Sequence, residues 1–308
     1  MRILFIFARP KAYDSKSVRE LPCGGTEKAV IFLGEALQKL GHQVEWKTTT
    51  EQLQHYTGKP DAVITQIAEL LEAFPNAQKI WWTHHFSDQP VIQANAAFGR
   101  CFADRIVTLS QCHAKDFKEK LRLDSVTIGH GVWLDEVFHT EKDPYRLIYA
   151  STPFRGLERI PGLFEEIKKN EPRATIAICS SMGTYGTPED DESYRQLFDR
   201  LQGIPGVELL GALNQTQLYE QYAKASIFFY PCTWPETYCL AMDEAIAHGC
   251  SAVVPNIGAL SERTQGCLQG REVDWVLDRF NVKSYTLNYF PVKDWLEIAK
   301  EWDQAVLN

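Results

Sequence analysis

A chain of 308 residues with 44% hydrophobic and 23% charged side chains holds enough material for two cores of about 150 residues and lacks the composition of a disordered polypeptide. Its formal charge of -8, from 32 basic and 40 acidic residues, excludes the basic footprint of a general nucleic-acid binder. Residues 1–140 hold 16 of each sign, so the acidic excess lies wholly in the second half.

The opening MRILFIFA is too short an apolar run, before Arg9 and Pro10, for a signal peptide with its cleavage site, and reads as a buried strand. No stretch approaches the roughly 18 apolar residues of a membrane helix. A cytoplasmic protein is expected, associated with a membrane at most peripherally. The eight cysteines, at 23, 101, 112, 179, 232, 239, 250 and 267, form no C-x-x-C pair and read as reduced, buried thiols.

After that strand the chain runs TEKAVIFLGEALQKLG, QVEWKT and the apolar AVITQ and AELLEAF. KIWWT, RIVTL and VTIG follow as strands, separated by the helical patterns VIQANAAFGRC and QCHAKDFKEKL. Strand and helix in turn imply right-handed crossovers and a parallel sheet covered on both faces. The charged HTEKDPY at 139–145 suits a linker, which predicts one Rossmann-like domain over 1–140 and a second over 141–290. In the second, RLIYAS, TIAIC, VELLG, SIFFYP and SAVVP are strands, and ERIPGLFEEIKKN, ESYRQLFDRLQ, QTQLYEQYAKA and TYCLAMDEAIAHG are helices. The segment 291–308 places Trp295, Ile298, Ala299, Trp302 and Val306 at helical spacing, an apolar stripe that needs a partner surface. The first domain is the candidate.

Ligands of open parallel sheets bind beyond the carboxyl ends of the strands, and four loops there carry chemistry. CGGTE, with Gly24, Gly25 and Glu27, brings paired glycines to a helix start, where backbone amides can meet an anion; its spacing fits neither G-x-G-x-x-G nor the G-K-[ST] loop. THHFSDQP sets His84 and His85 at a strand end, with no accompanying ligand pattern for zinc, so no metal is expected. STPFRGLE offers Arg155, whose guanidinium suits a diphosphate, with Arg159 one turn on. YPCTWPETYCLAMDEAIAHG puts Glu236 just before a helix and Glu244 inside it, so two carboxylates can accept hydrogen bonds from hydroxyls of one elongated ligand. Each loop alone also has an ordinary structural explanation, as a turn, a core-edge histidine, a helix-start arginine or a capping glutamate.

Taken together and in order, these loops resemble the retaining glycosyltransferases of family 4, of GT-B architecture. Glu236 and Glu244 match the E-x7-E motif, Gly24 and Gly25 the N-terminal glycine loop, RGLE the basic-Gly segment, and IGHGVW at 128–133 the I-x-N-G-V-D stretch. The resemblance implies two Rossmann-like doubly wound parallel-sheet domains facing across a cleft, with an acceptor side first and a nucleotide-sugar side second. It implies retention of configuration, no metal and no cofactor, a UDP- or GDP-sugar donor, and an unidentified acceptor: a glycan, a lipid-linked molecule or a small molecule. Glu244 would hold the ribose, Glu236 the donor sugar, Arg155 the leaving diphosphate, and His85, or else His84, the sugar near C6 or the acceptor. Gly24 and Gly25 would face phosphate or acceptor. Ser181 and Gly183, with Thr237, Tyr238 and Cys239, complete the implied donor site. Several positions depart from the family: the first half is short, Phe86 stands for a common Asp, His130 and Trp133 replace Asn and Asp, and Ala150 lies where a second basic residue is frequent, which leaves Arg159 or helix amides to assist Arg155. A GT-B epimerase, a phosphorylase or a non-catalytic nucleotide-sugar binder are the alternatives.

Overall fold

The computed structural model describes residues 1–9, 12–263, 271–281 and 291–307. The chain divides into two compact units: Met1–Val18 with Gly25–Gly131 and Lys293–Asn308, and Arg19–Gly24 with Val132–Val292.

The elements from the amino terminus are β1 (Arg2–Ile6), α1 (Ser17–Glu20), α2 (Gly25–Lys39), β2 (Gln43–Lys47), α3 (Thr50–Gln54), β3 (Ala62–Thr65), β4 (Gln78–Trp82), α4 (Pro90–Phe102), β5 (Arg105–Thr108), α5 (Gln111–Asp116) and β6 (Val126–Thr127). AELLEAF, left unassigned by its pattern, holds a 3-10 turn at Ala68–Ala73. The six strands are all parallel, in the order β2-β1-β3-β4-β5-β6. Ile3 to Ile6 and Ala62 to Thr65 are buried at every position, as strands covered on both faces must be.

The second set comprises β7 (Asp143–Ala150), α6 (Ile160–Asn170), β8 (Thr175–Cys179), α7 (Arg195–Gln202), β9 (Val207–Leu209), α8 (Gln215–Lys224), β10 (Ala225–Phe229), α9 (Leu240–Ala247), β11 (Ser251–Val253), α10 (Ala259–Arg263) and α11 (Glu272–Asn281). Its sheet is also parallel, ordered β11-β10-β7-β8-β9. From β7 the chain winds through β8 to β9, then returns to the other side of β7 for β10 and β11. The order therefore reverses between β7 and β10, and a crevice opens at the carboxyl ends of strands flanking such a point.

The last helix, α12 (Trp295–Trp302), belongs to the first unit. Its stripe is buried throughout, Trp295 and Trp302 completely. Trp295 meets Phe32 of α2 edge-on at 6.2 Å and Trp302 meets Trp82 of β4 at 5.1 Å. Gly131 passes so close that an added Cβ would lie 2.8 Å from the Trp295 backbone nitrogen. Asp294 and Glu297 close a capping box at the start of α12.

Three expectations change. The stretch 139–145 is only partly linker, because Asp143, Pro144 and Tyr145 already open β7; the proline is tolerated where the β7–β10 register is irregular. The helix expected from Thr237 begins only at Leu240, since Cys239 takes φ 86° and ψ 71° and interrupts the helical backbone. The described cysteines form no disulfide with one another, but Cys101 is exposed and Cys23, Cys112 and Cys239 are only half-buried; Cys267 lies outside the described residues.

Candidate active site

Arg155 follows β7 and Glu236 follows β10, so the loops on either side of the reversal supply the two charges. The Arg155 guanidinium forms an ion pair with Glu236 Oε1. The same oxygen accepts a 2.5 Å bond from the Tyr230 hydroxyl. Burial, the largest single influence on Arg155, opposes its charge, but Glu236 with the nearby tyrosines leaves its pKa raised. Burial, then the Glu236 charge, pushes the Tyr230 hydroxyl well above its usual range, so it remains a donor. The result is a guanidinium and a carboxylate locked together, both mostly buried.

Close backbone approach holds the pair. Gly156 has φ 93°, and a Cβ there would lie 2.3 Å from the Pro231 carbonyl oxygen; only glycine lets the β7 loop rest on the β10 loop. Gly258, at φ 54°, would put a Cβ 2.6 Å from the Glu236 carbonyl oxygen, and the Ala259 amide donates to that oxygen at 2.8 Å. The start of α10 thereby fixes the Glu236 backbone.

Glu244 lies in α9 and is buried, where it accepts a 2.9 Å bond from Gln215 Nε2 at the start of α8. Thr237 is half-buried, and the Tyr238 hydroxyl donates to Asp243 at 2.7 Å. Asp243, wholly buried beside Glu244, also pairs with Arg263. Burial raises its pKa while Arg263 and Tyr238 pull it down. Ser181 accepts from the Gly183 amide at 2.8 Å and donates to Asp191 at 2.5 Å, closing a turn after β8. Arg159 donates to the Pro231 carbonyl at 3.1 Å and pairs with Glu272 at 2.8 Å. Its charge is therefore engaged at α11, not joined to Arg155 and Glu236.

In the first unit, Gly25 opens α2 and an added Cβ there would meet nothing within 4 Å; Gly24, which belongs to the second unit, is buried. Glu27 pairs with Arg9 at 2.6 Å. His84 is buried against Trp82, with ring centroids 4.6 Å apart, and burial holds its pKa well below the usual range. His85 is half-buried. Its carbonyl accepts a 2.8 Å bond from His113 Nε2, while His113 Nδ1 accepts from the Leu109 amide at 3.3 Å. The Asp116 carboxylate accepts from the Ser87 amide at 2.7 Å, so α5 pins the whole His84–Ser87 loop. His130 is buried between Trp82 and Trp295, and burial pushes its pKa down to about 3.

Residues 136–264 match the model of the family described as Glycosyl transferases group 1. This segment is similar to a group 1 glycosyltransferase domain. It contains Arg155, Glu236 and Glu244. No curated protein matches the chain. Among solved structures, Anabaena Alr3699/HepE in complex with UDP and glucose superposes with a TM-score of 0.72 at 14% identity, covering 99% of each chain. Sucrose-phosphate synthase from Thermosynechococcus elongatus gives 0.69 at 13%, over 98% of this chain and 97% of that one. AviGT4, a glycosyltransferase involved in Avilamycin A biosynthesis, gives 0.68 at 16%, over 98% and 96%. The shared feature is the GT-B fold of two parallel-sheet α/β domains.

Three partners of the site carry no signal of their role in the sequence. Tyr230 ends an apolar strand six residues before Glu236, a position that reads as core. Gln215 reads as an ordinary helix-start residue, and His113 as one polar side chain on a helix. Their roles depend on contacts across 6, 29 and 28 residues of chain.

Proposed function

We propose that this chain is a retaining glycosyltransferase of the family 4 type, which moves a sugar from a nucleotide-sugar donor to an acceptor without a metal ion. The observation that carries this reading is the buried Arg155–Glu236 pair at the strand-order reversal of the group 1 domain. Glu244 takes the ribose hydroxyls, with Gln215 holding its carboxylate in place. Glu236 accepts hydroxyl hydrogen bonds from the donor sugar through Oε2. The leaving diphosphate lies against Arg155, which shares its donors between that anion and Glu236, and near the amino end of α9, whose dipole favours negative charge. The departing phosphate takes the acceptor proton, so no carboxylate base is needed. His85 positions a sugar or acceptor hydroxyl, while Gly24 and Gly25 face donor phosphate or acceptor.

The test is thermal stabilisation by UDP-, GDP-, ADP- and TDP-sugars with chelator present, since a ligand of the native state raises apparent stability by mass action. UDP-sugars come first, given the UDP and glucose of the Anabaena structure. A shift with one nucleotide that disappears in Glu244→Ala, followed by sugar transfer with retained configuration, supports the reading. Absence of any shift rejects it. A non-catalytic binder is a second reading, favoured by the internal neutralisation of Arg155; donor binding without transfer or donor hydrolysis would select it.

A further inference from the structure

The chain after β11 carries the short helix α10, which is tied to the segment around Glu236 at both of its ends. At its start, Gly258 and Ala259 rest on the Glu236 backbone, and the Ala259 amide donates to the Glu236 carbonyl. At its end, Arg263 forms an ion pair with Asp243 Oδ1 in α9. The other oxygen, Asp243 Oδ2, accepts the 2.7 Å bond from the Tyr238 hydroxyl. The triangle closes, because the Arg263 guanidinium carbon lies 5.5 Å from the centre of the Tyr238 ring. Asp243 is completely buried and Arg263 mostly so, which shields the network from the water and salt that weaken surface ion pairs. Burial opposes the Arg263 charge, but Asp243, then Tyr238, leave its pKa raised.

Between these anchors runs the segment 236–239, which ends in an unusual backbone. Cys239 takes φ 86° and ψ 71° at the N-cap of α9, a region that a residue with a side chain occupies only where its surroundings hold it there. Here Glu236 is held by its carbonyl and Tyr238 by its hydroxyl, both ultimately through α10. The Cys239 carbonyl then accepts from the Met242 amide at 3.1 Å, closing the first turn of α9. A helix leaves its first amides without intrahelical acceptors, and the Cys239 side chain makes no capping hydrogen bond among the described residues. The backbone at Cys239 therefore sets where those amides point.

We propose that Asp243 and Arg263 are positioning residues, which act through Tyr238 to brace the segment 236–239 so that the amides opening α9 are set for an anionic phosphate before it binds. The phosphate in this statement rests on the proposed function; the brace itself does not. Asp243 and Arg263 touch no ligand in this arrangement and act only through Tyr238 and the backbone. Amides fixed in advance need no ordering when an anion arrives. Loss of the brace should accordingly weaken the hold on the phosphates and spare that on the nucleoside, which the proposed function gives to Glu244.

Ligand-observed NMR titrations of the whole protein with UDP and with uridine, together with amide hydrogen exchange of the unliganded protein, test the proposal. Tyr238→Phe and Arg263→Met should each raise the UDP dissociation constant about tenfold, the worth of one hydrogen bond to a charged group, and leave that of uridine within about twofold. Arg263→Lys keeps the charge without the planar fork and should fall between wild type and Arg263→Met. In the unliganded protein the Ala259 and Met242 amides, bonded to the Glu236 and Cys239 carbonyls, should exchange about tenfold faster in both variants while those of α8 keep their rates. Tyr238→Phe is the milder change and carries the test if Arg263→Met does not fold. UDP binding unchanged, equal losses for UDP and uridine, unaltered exchange at Ala259 and Met242, or a rise shared equally by α8 would each overturn the brace. A wild-type protein that binds neither UDP nor another nucleoside diphosphate rejects the nucleotide-sugar reading, and the exchange result, which needs no ligand, then decides the brace alone.

Discussion

Arg155 and Glu236 are 81 residues apart in the chain and are each other's charge partner, one on each side of the strand-order reversal in the second sheet. Neither charge stands alone, so the effect of removing one depends on what remains for the other. Arg155→Ala leaves a mostly buried carboxylate held, among the described residues, by Tyr230, and should lower turnover by about 10²-fold or more through loss of transition-state charge stabilisation. Tyr230→Phe removes one hydrogen bond to a charged acceptor and should cost about tenfold, chiefly in kcat. In an Arg155→Ala background its effect should differ from that in wild type, because both donors share one oxygen. Steady-state kinetics of the four proteins checks this; unchanged kinetics in both single variants would reject the site.

Glu244 and Gln215 should act on binding. Glu244→Ala is expected to weaken nucleotide affinity most, and Gln215→Ala by about tenfold or more, since it removes a hydrogen bond to a charged acceptor worth about 1.5–3 kcal/mol. Calorimetric titration with the nucleoside diphosphate measures both. A Gln215→Ala protein that binds as tightly as wild type would show that Glu244 needs no orienting partner.

Gly156→Ala should destabilise the protein by about 1–3 kcal/mol, because it adds a side chain in the left-handed region and drives it into the Pro231 carbonyl. Denaturant unfolding gives the value. Gly25→Ala, where a Cβ meets nothing within 4 Å, is the control and should be close to neutral in stability.

Acid should weaken the fold before the carboxylates titrate. Burial, the main cause, lowers the His113 pKa from 6.5 to about 4 and that of His130 to about 3, and His84 shifts the same way. The unfolded chain therefore binds protons at these positions at higher pH than the folded one. Their stabilisation is complete above about pH 6.5 and is lost as pH falls from there toward 4, with His113 alone accounting for about 3 kcal/mol. His113→Gln should flatten that part of the curve of unfolding free energy against pH, and an unchanged slope would contradict the assignment.

The α/β architecture could be read from the chain because its signals are local. RILFIFA, KIWWT, TIAIC and SIFFYP are apolar runs bounded by polar loops, and the intervening patterns have helical period; such features arise from neighbouring residues and survive without a partner surface. The spacing of Glu236 and Glu244 and the basic loop at Arg155 could be read for the same reason. Tertiary contact decided the remainder. That α12 covers α2, that Arg159 turns to Glu272, that Cys239 delays α9 to Leu240, and that Tyr230 and Gln215 hold the two glutamates all depend on which segments meet in space. A side chain's field and hydrogen-bond partners come from atoms remote in the chain, so composition and period carry no record of them.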